Sequence, residues 1–309
     1  MGVPGRSTRL RTPLDQAVFD ALTPFGRMGA SFPIYFSPPA EQELVSNAEL
    51  LEDERLGSYF TRAISAWSAN PSEEDQRAAA SRFIRRYCGA IGTATLIPLA
   101  HGIAFDVSIP RVKLLIRNDM TLGVMLDLEG AEVFTSEERP TTWPLKATRL
   151  RTLSELRERA FRSMFADNFV PAFERVLRHV RVSEKLMWTN AAESIELMYE
   201  YGVGSHDTAG WQPFADDRNA VHFGETIPGI EGPNPMLGLV EWETFENDPL
   251  LPLPCQMRRV CCVNYVVPGR NPRYCRTCGL LSHEERHQQW HAYEAANRDA
   301  LSVPWPPNG

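Results

Sequence analysis

The sequence has little cysteine, no long unbroken apolar run and no nucleotide-binding fingerprint, and each shortage removes a class of protein. Six cysteines among 309 residues are too few for a disulfide-built scaffold. The most apolar stretch, residues 90–110 (AIGTATLIPLAHGIAFDVSIP), contains two prolines, a histidine and an aspartate, which argues against a membrane span. The first residues, MGVPGRSTRLRTPLDQAVFDAL, carry three early arginines but no apolar core or small-residue cleavage site. The expected compartment is therefore the cytosol, or the inner face of the cell membrane, where thiols stay reduced. No G-x-G-x-x-G, G-x-x-x-x-G-K-[ST] or G-x-S-x-G occurs, so any redox electrons would come from a partner rather than a nucleotide bound here. A net charge of -7 speaks against general binding to nucleic acid or anionic lipid.

What is present is an ordinary globular composition, 43% hydrophobic and 23% charged, long enough for one large domain or two. Three parts are expected: an N-terminal segment over 1–60, an α+β domain over 61–250 and a cysteine-bearing segment over 251–309. A helix is expected from Pro39 to Leu51. Another should start at Ser72, with acids in its first turn and arginines in its last, and end at Cys88, a packed core thiol. The β-branched residues of 90–110 suggest strands. Between 103 and 150, IAFDVSI, VKLLIRN, GVMLDLEG and AEVFTS are short strand-like runs broken by turn residues, which implies an antiparallel sheet. From Thr152 to Tyr201 the apolar spacing is helical, with Thr152 and Glu155 placed as a capping box and a stop at Gly202. Residues 203–255, rich in Gly, Pro, Asp and Asn, suggest a long irregular connection, and a helix should follow Ser282. The fold class is α+β.

Four of the six cysteines fall within 18 residues: Cys261-Cys262, twelve residues, then Cys275-x-x-Cys278. Pro268-Gly269 and Asn271-Pro272 are turn signals that let the chain fold back, so four sulfurs can reach one site. Thiolates select zinc or an iron–sulfur centre. An adjacent cysteine pair is unusual in a zinc ribbon, and a redox disulfide lacks its usual βαβ setting. Between Leu251 and Ser282 stand five arginines (Arg258, Arg259, Arg270, Arg273, Arg276) and no acid. A four-thiolate zinc ion and an oxidised [2Fe-2S] cluster are both doubly negative, so charge does not choose between them. For a cluster, the cationic shell would favour the reduced state, with Arg259 and Arg276 expected to tune it. Cys255 is expected to stand aside.

Arg258, Cys261, Cys262 and Tyr265, followed by Cys275 and Cys278, form a pattern that resembles the FhuF-type ferric-siderophore reductases. That family ends in a Cys-Cys…Cys-x-x-Cys motif binding a [2Fe-2S] cluster. Here the middle spacing is twelve residues instead of ten, a cheap insertion in a turn-rich loop, and Gly279 stands where proline is frequent. SEKLMWTNAA (Leu186, Trp188, Asn190, Ala191) looks like the family's Trp-x-Asn helix, a fold region shared with IucA/IucC-type siderophore synthetases. The resemblance implies an oxidoreductase that releases iron from a ferric siderophore by one-electron reduction through a [2Fe-2S] cluster. Cys261, Cys262, Cys275 and Cys278 would be the cofactor and metal ligands, with no catalytic residue beyond them. The substrate would be a ferric siderophore, of hydroxamate type first, and the donor a ferredoxin, a flavin or a flavoprotein. The competing readings are a zinc-stapled, non-enzymatic interaction protein and an iron–sulfur electron carrier that does not act on siderophores.

His283-Glu284-x-x-His287 formally matches a zincin motif, with His291 a turn further on; a solvated helix face is the simpler expectation. The arginines of 146–162 fit exposed Arg/Glu pairs on a helix. Trp188 and Asn190 are expected in the core.

Overall fold

The computed structural model describes residues 34–35, 43–117, 120–126, 132–139, 146–203, 212–268 and 274–301. It is a mixed α+β chain, and 53% of the described residues are helical and 15% strand. Strands β1 (Ile34–Tyr35), β2 (Glu43–Ser46), β4 (Val112–Arg117) and β5 (Met120–Leu126) form one sheet in the order β1-β5-β4-β2. Strands β3 (Ile103–Phe105), β6 (Val133–Ser136) and β7 (Thr148–Leu150) form a second. The strand-like runs of the sequence are antiparallel where they pair (β4 with β5, β3 with β6), while β1 and β7 add in parallel at the margins.

The expected helix from Pro39 to Leu51 is corrected. Within it the described residues form β2 and a single turn, α1 (Asn47–Leu50), before α2 (Asp53–Ser65); Pro39–Gln42 lie outside the described residues. Leu44 and Val45 pair with Leu115 and Leu114, so sheet formation overrides local helix preference.

The larger correction concerns α3, which begins at Glu73 and runs to Ala100. Its start is as expected: Ser72 accepts the Asp75 N–H at 3.1 Å while the Asp75 carboxylate accepts the Ser72 N–H at 2.9 Å. It does not end at Cys88, and residues 90–100 are helix instead of strand. This half is buried on every side, so it lacks the one-sided period that marks a surface helix. Its threonines are satisfied inside the helix, Thr93 and Thr95 donating to the carbonyls of Gly89 and Ile91. At Gly92 a Cβ would sit 3.0 Å from the Met198 methyl, so the small residue lets α6 (Glu184–Val203) lie close alongside. Cys88 is fully buried within α3, and burial holds its thiol well above its ordinary pKa.

The expected helical section divides into α4 (Leu153–Phe161), a π-helical stretch Arg162–Phe169 and α5 (Val170–His179), with the Thr152/Glu155 capping box in place. The π stretch turns Asn168 inward, where it accepts from the Tyr87 hydroxyl and donates to the Val107 carbonyl at 2.6 Å. The long connection expected over 203–255 contains α7 (Gln212–His222) and β8 (Val240–Glu243). Arg218 of α7 forks onto the buried Glu196 of α6, and Asn234 closes the following loop onto the carbonyls of Val221 and Gly224. These polar ties hold a segment whose composition reads as loop. Strand β9 (Cys255–Arg258) pairs antiparallel with β8, and α8 (His283–Leu301) follows. Among the described residues no helix is long and apolar enough to cross a membrane.

Candidate metal centre

Strand β9 organises the cysteine segment. The Arg258 N–H donates to the Thr277 carbonyl at 2.9 Å, drawing the Cys275-x-x-Cys278 turn against the strand. The turn is closed by the Cys278 N–H on the Cys275 carbonyl at 2.9 Å. Gly279 is required at this junction, since a Cβ would lie 2.5 Å from the Arg258 carbonyl oxygen, a backbone atom that cannot yield cheaply. Gly279→Ala should therefore pry the turn from β9. Thermal melts are expected to shift down, and an unchanged melt would contradict the close approach.

The four cysteines pack together. Cys262 Sγ lies 3.4 Å from Cys275 Sγ, and the Cys261 thiol interacts with those of Cys262 and Cys278. Cys262, Cys275 and Cys278 form a buried cluster with Leu281, against which the half-buried Cys261 packs, and all four are free thiols. Backbone N–H groups are aimed at sulfur two residues back: Val263 at Cys261 (3.4 Å), Asn264 at Cys262 and Leu280 at Cys278. Such donors stabilise thiolate over thiol. They point correctly because Val263 sits at φ 58, a left-handed conformation that costs a β-branched residue free energy. Thiol contacts first, then Arg258, hold Cys262 well below its ordinary pKa; the contact from Cys261 brings Cys278 to about 7.

Beneath the sulfurs lies a charged group that composition does not distinguish from its neighbours. Arg258 is completely buried, ion-paired to the equally buried Glu193 of α6 at 3.1 Å, and donates to Asn190 Oδ1. Glu193 also takes Arg85 of α3 at 3.2 Å and the Thr277 hydroxyl at 2.7 Å. Burial works to raise the Glu193 pKa; Arg258, Arg85 and Thr277 outweigh it and keep the carboxyl below its usual range. Burial likewise opposes the charge on Arg258, and Glu193 first, then the cysteines Cys262, Cys275 and Cys261, overcome it, while thiol contacts push Cys261 and Cys275 themselves up. Two guanidinium nitrogens of Arg258, Nε and Nη1, have no hydrogen-bond partner within the protein. A buried guanidinium with orphaned donors near clustered cysteines suits an anionic group, and the all-sulfur donor set suits a soft metal centre.

Of the other arginines, Arg259 is exposed on Glu241, and Arg276 lies over the Tyr293 and Trp290 rings at 3.7 and 4.6 Å. Arg270 and Arg273 lie outside the described residues. Cys255 belongs to a separate cluster with Phe245, Leu251 and Trp290. Trp188 packs on Phe173 in the main core, as expected, whereas Asn190 joins that core to Arg258. Sequence reasoning missed Glu193 and Glu196. Their signal is acidic residues three positions apart in an otherwise apolar helix (NAAESIELM), continuing the face that Asn190 begins. A cavity of about 630 Å³ opens beside Cys275, bounded by Arg85, Tyr274, Arg276, Leu281 and Tyr293. That volume is typical of small-molecule sites.

With this geometry in view, similarity to known proteins can be placed on it. A family model described as "Ferric iron reductase FhuF-like transporter" matches residues 81–243, more than half of the chain. The chain belongs to the FhuF-like family. Membership supports a role connected with siderophore iron. The match includes Arg85, Asn190 and Glu193 and ends at Glu243, before the first of the four cysteines. No curated protein matches the chain. Among solved structures, aerobactin synthetase IucC from a hypervirulent pathotype of Klebsiella pneumoniae aligns with TM-score 0.44 and 11% identity. The alignment covers 64% of this chain and 36% of that one, so the chain spans little more than a third of that protein's length.

Proposed function

We propose that this FhuF-like chain is a ferric-siderophore reductase in which Cys261, Cys262, Cys275 and Cys278 hold a [2Fe-2S] cluster. The observation that carries the reading is the packing of the four cysteines into one cluster, with backbone N–H groups on three of them and a buried arginine beside them. When bound, the cluster supplies single electrons, the unit that converts Fe(III) to Fe(II). The substrate's oxygen ligands hold the small, hard Fe(III) far more tightly than Fe(II), so gaining one electron loosens the chelate. A reduced ferredoxin, flavin or flavoprotein provides that electron.

The chain's own groups prepare the site. Arg258 places a permanent positive charge below the sulfurs, which eases the accumulation of negative charge there. Glu193 and Asn190 fix its orientation. The cavity beside Cys275 joins Tyr274, Leu281 and Tyr293 to the polar side chains of Arg85, Glu285 and Gln288, a setting of mixed character for an uncharged chelate of hydroxamate type.

Protein purified without oxygen should be red-brown and bleach with dithionite. Mixed in its reduced form with a ferric hydroxamate and an Fe(II) trap, it should yield trapped Fe(II) within a single turnover. Colourless protein carrying one zinc and no iron would overturn the cluster. Coloured protein that releases no Fe(II) from any chelate class would leave an electron carrier of another pathway.

A further inference from the structure

The histidines of α8 are not simply a solvated face. His283 sits at 2.6 Å from the Glu243 carboxylate, while His287 and His291, one helical turn apart, converge on Asp248. His287 Nε2 and His291 Nδ1 lie 2.7 and 2.8 Å from the same oxygen, Asp248 Oδ2, and the three ligand atoms are within 4.8 Å of one another. We propose that Asp248, His287 and His291 form a second metal site, taking a divalent transition-metal ion on two imidazole nitrogens and one carboxylate oxygen.

The arrangement is organised before any ion arrives. Asn247, at φ 64, turns the chain so that Asp248 faces the helix, and the Leu250 N–H occupies Oδ1 at 2.8 Å, leaving Oδ2 for the histidines. Phe245 stacks on the His287 ring with centroids 4.9 Å apart and 19° between planes, fixing its tilt. The Asp248 side chain is only 5% exposed whereas that of His291 is 50% exposed, so a firmly seated carboxylate is paired with an open approach. Ligand bonds of about 2.1 Å place tetrahedral donor atoms about 3.4 Å apart, so the carboxylate needs to retreat by roughly half an ångström. Three protein donors leave further positions for water, which is the mark of an exchanging or reactive site rather than a closed structural one. Two imidazoles and a carboxylate suit Zn(II) and Fe(II). The donor set also differs from the zincin pattern in the sequence: His283 is diverted to Glu243, Asp248 takes its place, and Glu284 bonds Gln288 instead of facing the site.

The test uses the full chain, purified anaerobically, with Co(II) as spectroscopic probe and Zn(II) and Fe(II) in competition. Wild type should bind one equivalent of Co(II) whose spectrum lacks sulfur-to-metal charge-transfer bands, which separates this site from the four cysteines whatever they hold. His287→Gln should weaken that equivalent at least tenfold. Asp248→Asn, whose one remaining oxygen can still accept the Leu250 N–H while its amide NH2 can donate to a neutral imidazole, guards against a folding artefact; it should do the same while melting like wild type without metal. Equal Co(II) affinity in wild type and both variants, or a spectrum showing thiolate ligation alone, would sink the proposal. Cluster content is read separately from colour, so failure here and failure of the reductase reading are distinguishable.

Discussion

Serine in place of any one of Cys261, Cys262, Cys275 or Cys278 is expected to remove the visible colour and lower single-turnover Fe(II) release at least a hundredfold. Each thiol touches another of the set, through Cys262 to Cys275 or through Cys261 to Cys262 and Cys278, so no sulfur is spare. A hard hydroxyl in one corner is a poor substitute for soft thiolate. Cys88→Ala and Cys255→Ala are the controls. Cys88 is enclosed by the main core, and Cys255 packs with Phe245, Leu251 and Trp290, outside the four-sulfur cluster. Both should keep their colour, though Cys88→Ala will cost some stability by leaving a void. Visible absorbance and iron-to-protein ratio decide the matter; colour that survives in any single variant of the four would dismiss the ligand assignment.

Breaking the buried ion pair should have the next largest effect. Arg258→Met leaves Glu193 to Arg85 alone, and Glu193→Gln leaves a buried guanidinium beside the thiols without its counter-charge. Removing one partner of a buried pair costs about 3–5 kcal/mol, because the remaining charge stays desolvated. Each variant should therefore melt well below wild type. The double variant Arg258→Met with Glu193→Leu should lose much less than the sum, since neither fully buried charge remains and Arg85, which also loses Glu193, is partly exposed. Arg258→Lys separates charge from shape. It should retain more cluster and a higher potential than Arg258→Met, while losing the planar guanidinium that bonds both Asn190 and Glu193. Equilibrium denaturation gives the first comparison and a redox titration the second. Additive losses in the double variant would mean that Arg258 and Glu193 do not act as a pair. Arg259, exposed on Glu241, should shift the potential less than Arg258.

The parts of this molecule legible in the sequence are those fixed by short-range rules. Capping boxes at Ser72 and Thr152 are visible because donor and acceptor lie three residues apart. Strands β3 to β6 are visible because β-rich runs alternate with turn residues. The cysteine pairs announce a site because each pair is local and only the chain reversal between them needs tertiary help. Where the reading failed, burial had erased the local signal. The second half of α3 is apolar all round, so its β-branched residues outweighed a helical period that does not exist. The helix α7 hides in a stretch of loop-like composition, and Arg218 ties it to an acid on α6.

By itself, then, the sequence determined that four cysteines near residues 261–278 could share one site, that the chain mixes helix and sheet, and which family it resembles. Only the tertiary structure decided which charges matter around that site. Five arginines near the cysteines are equivalent in composition; folding buries Arg258 against Glu193, exposes Arg259 and stacks Arg276 on aromatic rings. Three histidines on one helix are equally interchangeable until a loop brings Asp248 to two of them and Glu243 to the third. The physical reason is the same in both cases. A charge gains its strength from desolvation and from a partner, and both are supplied by residues distant in sequence that only packing brings within a few ångströms.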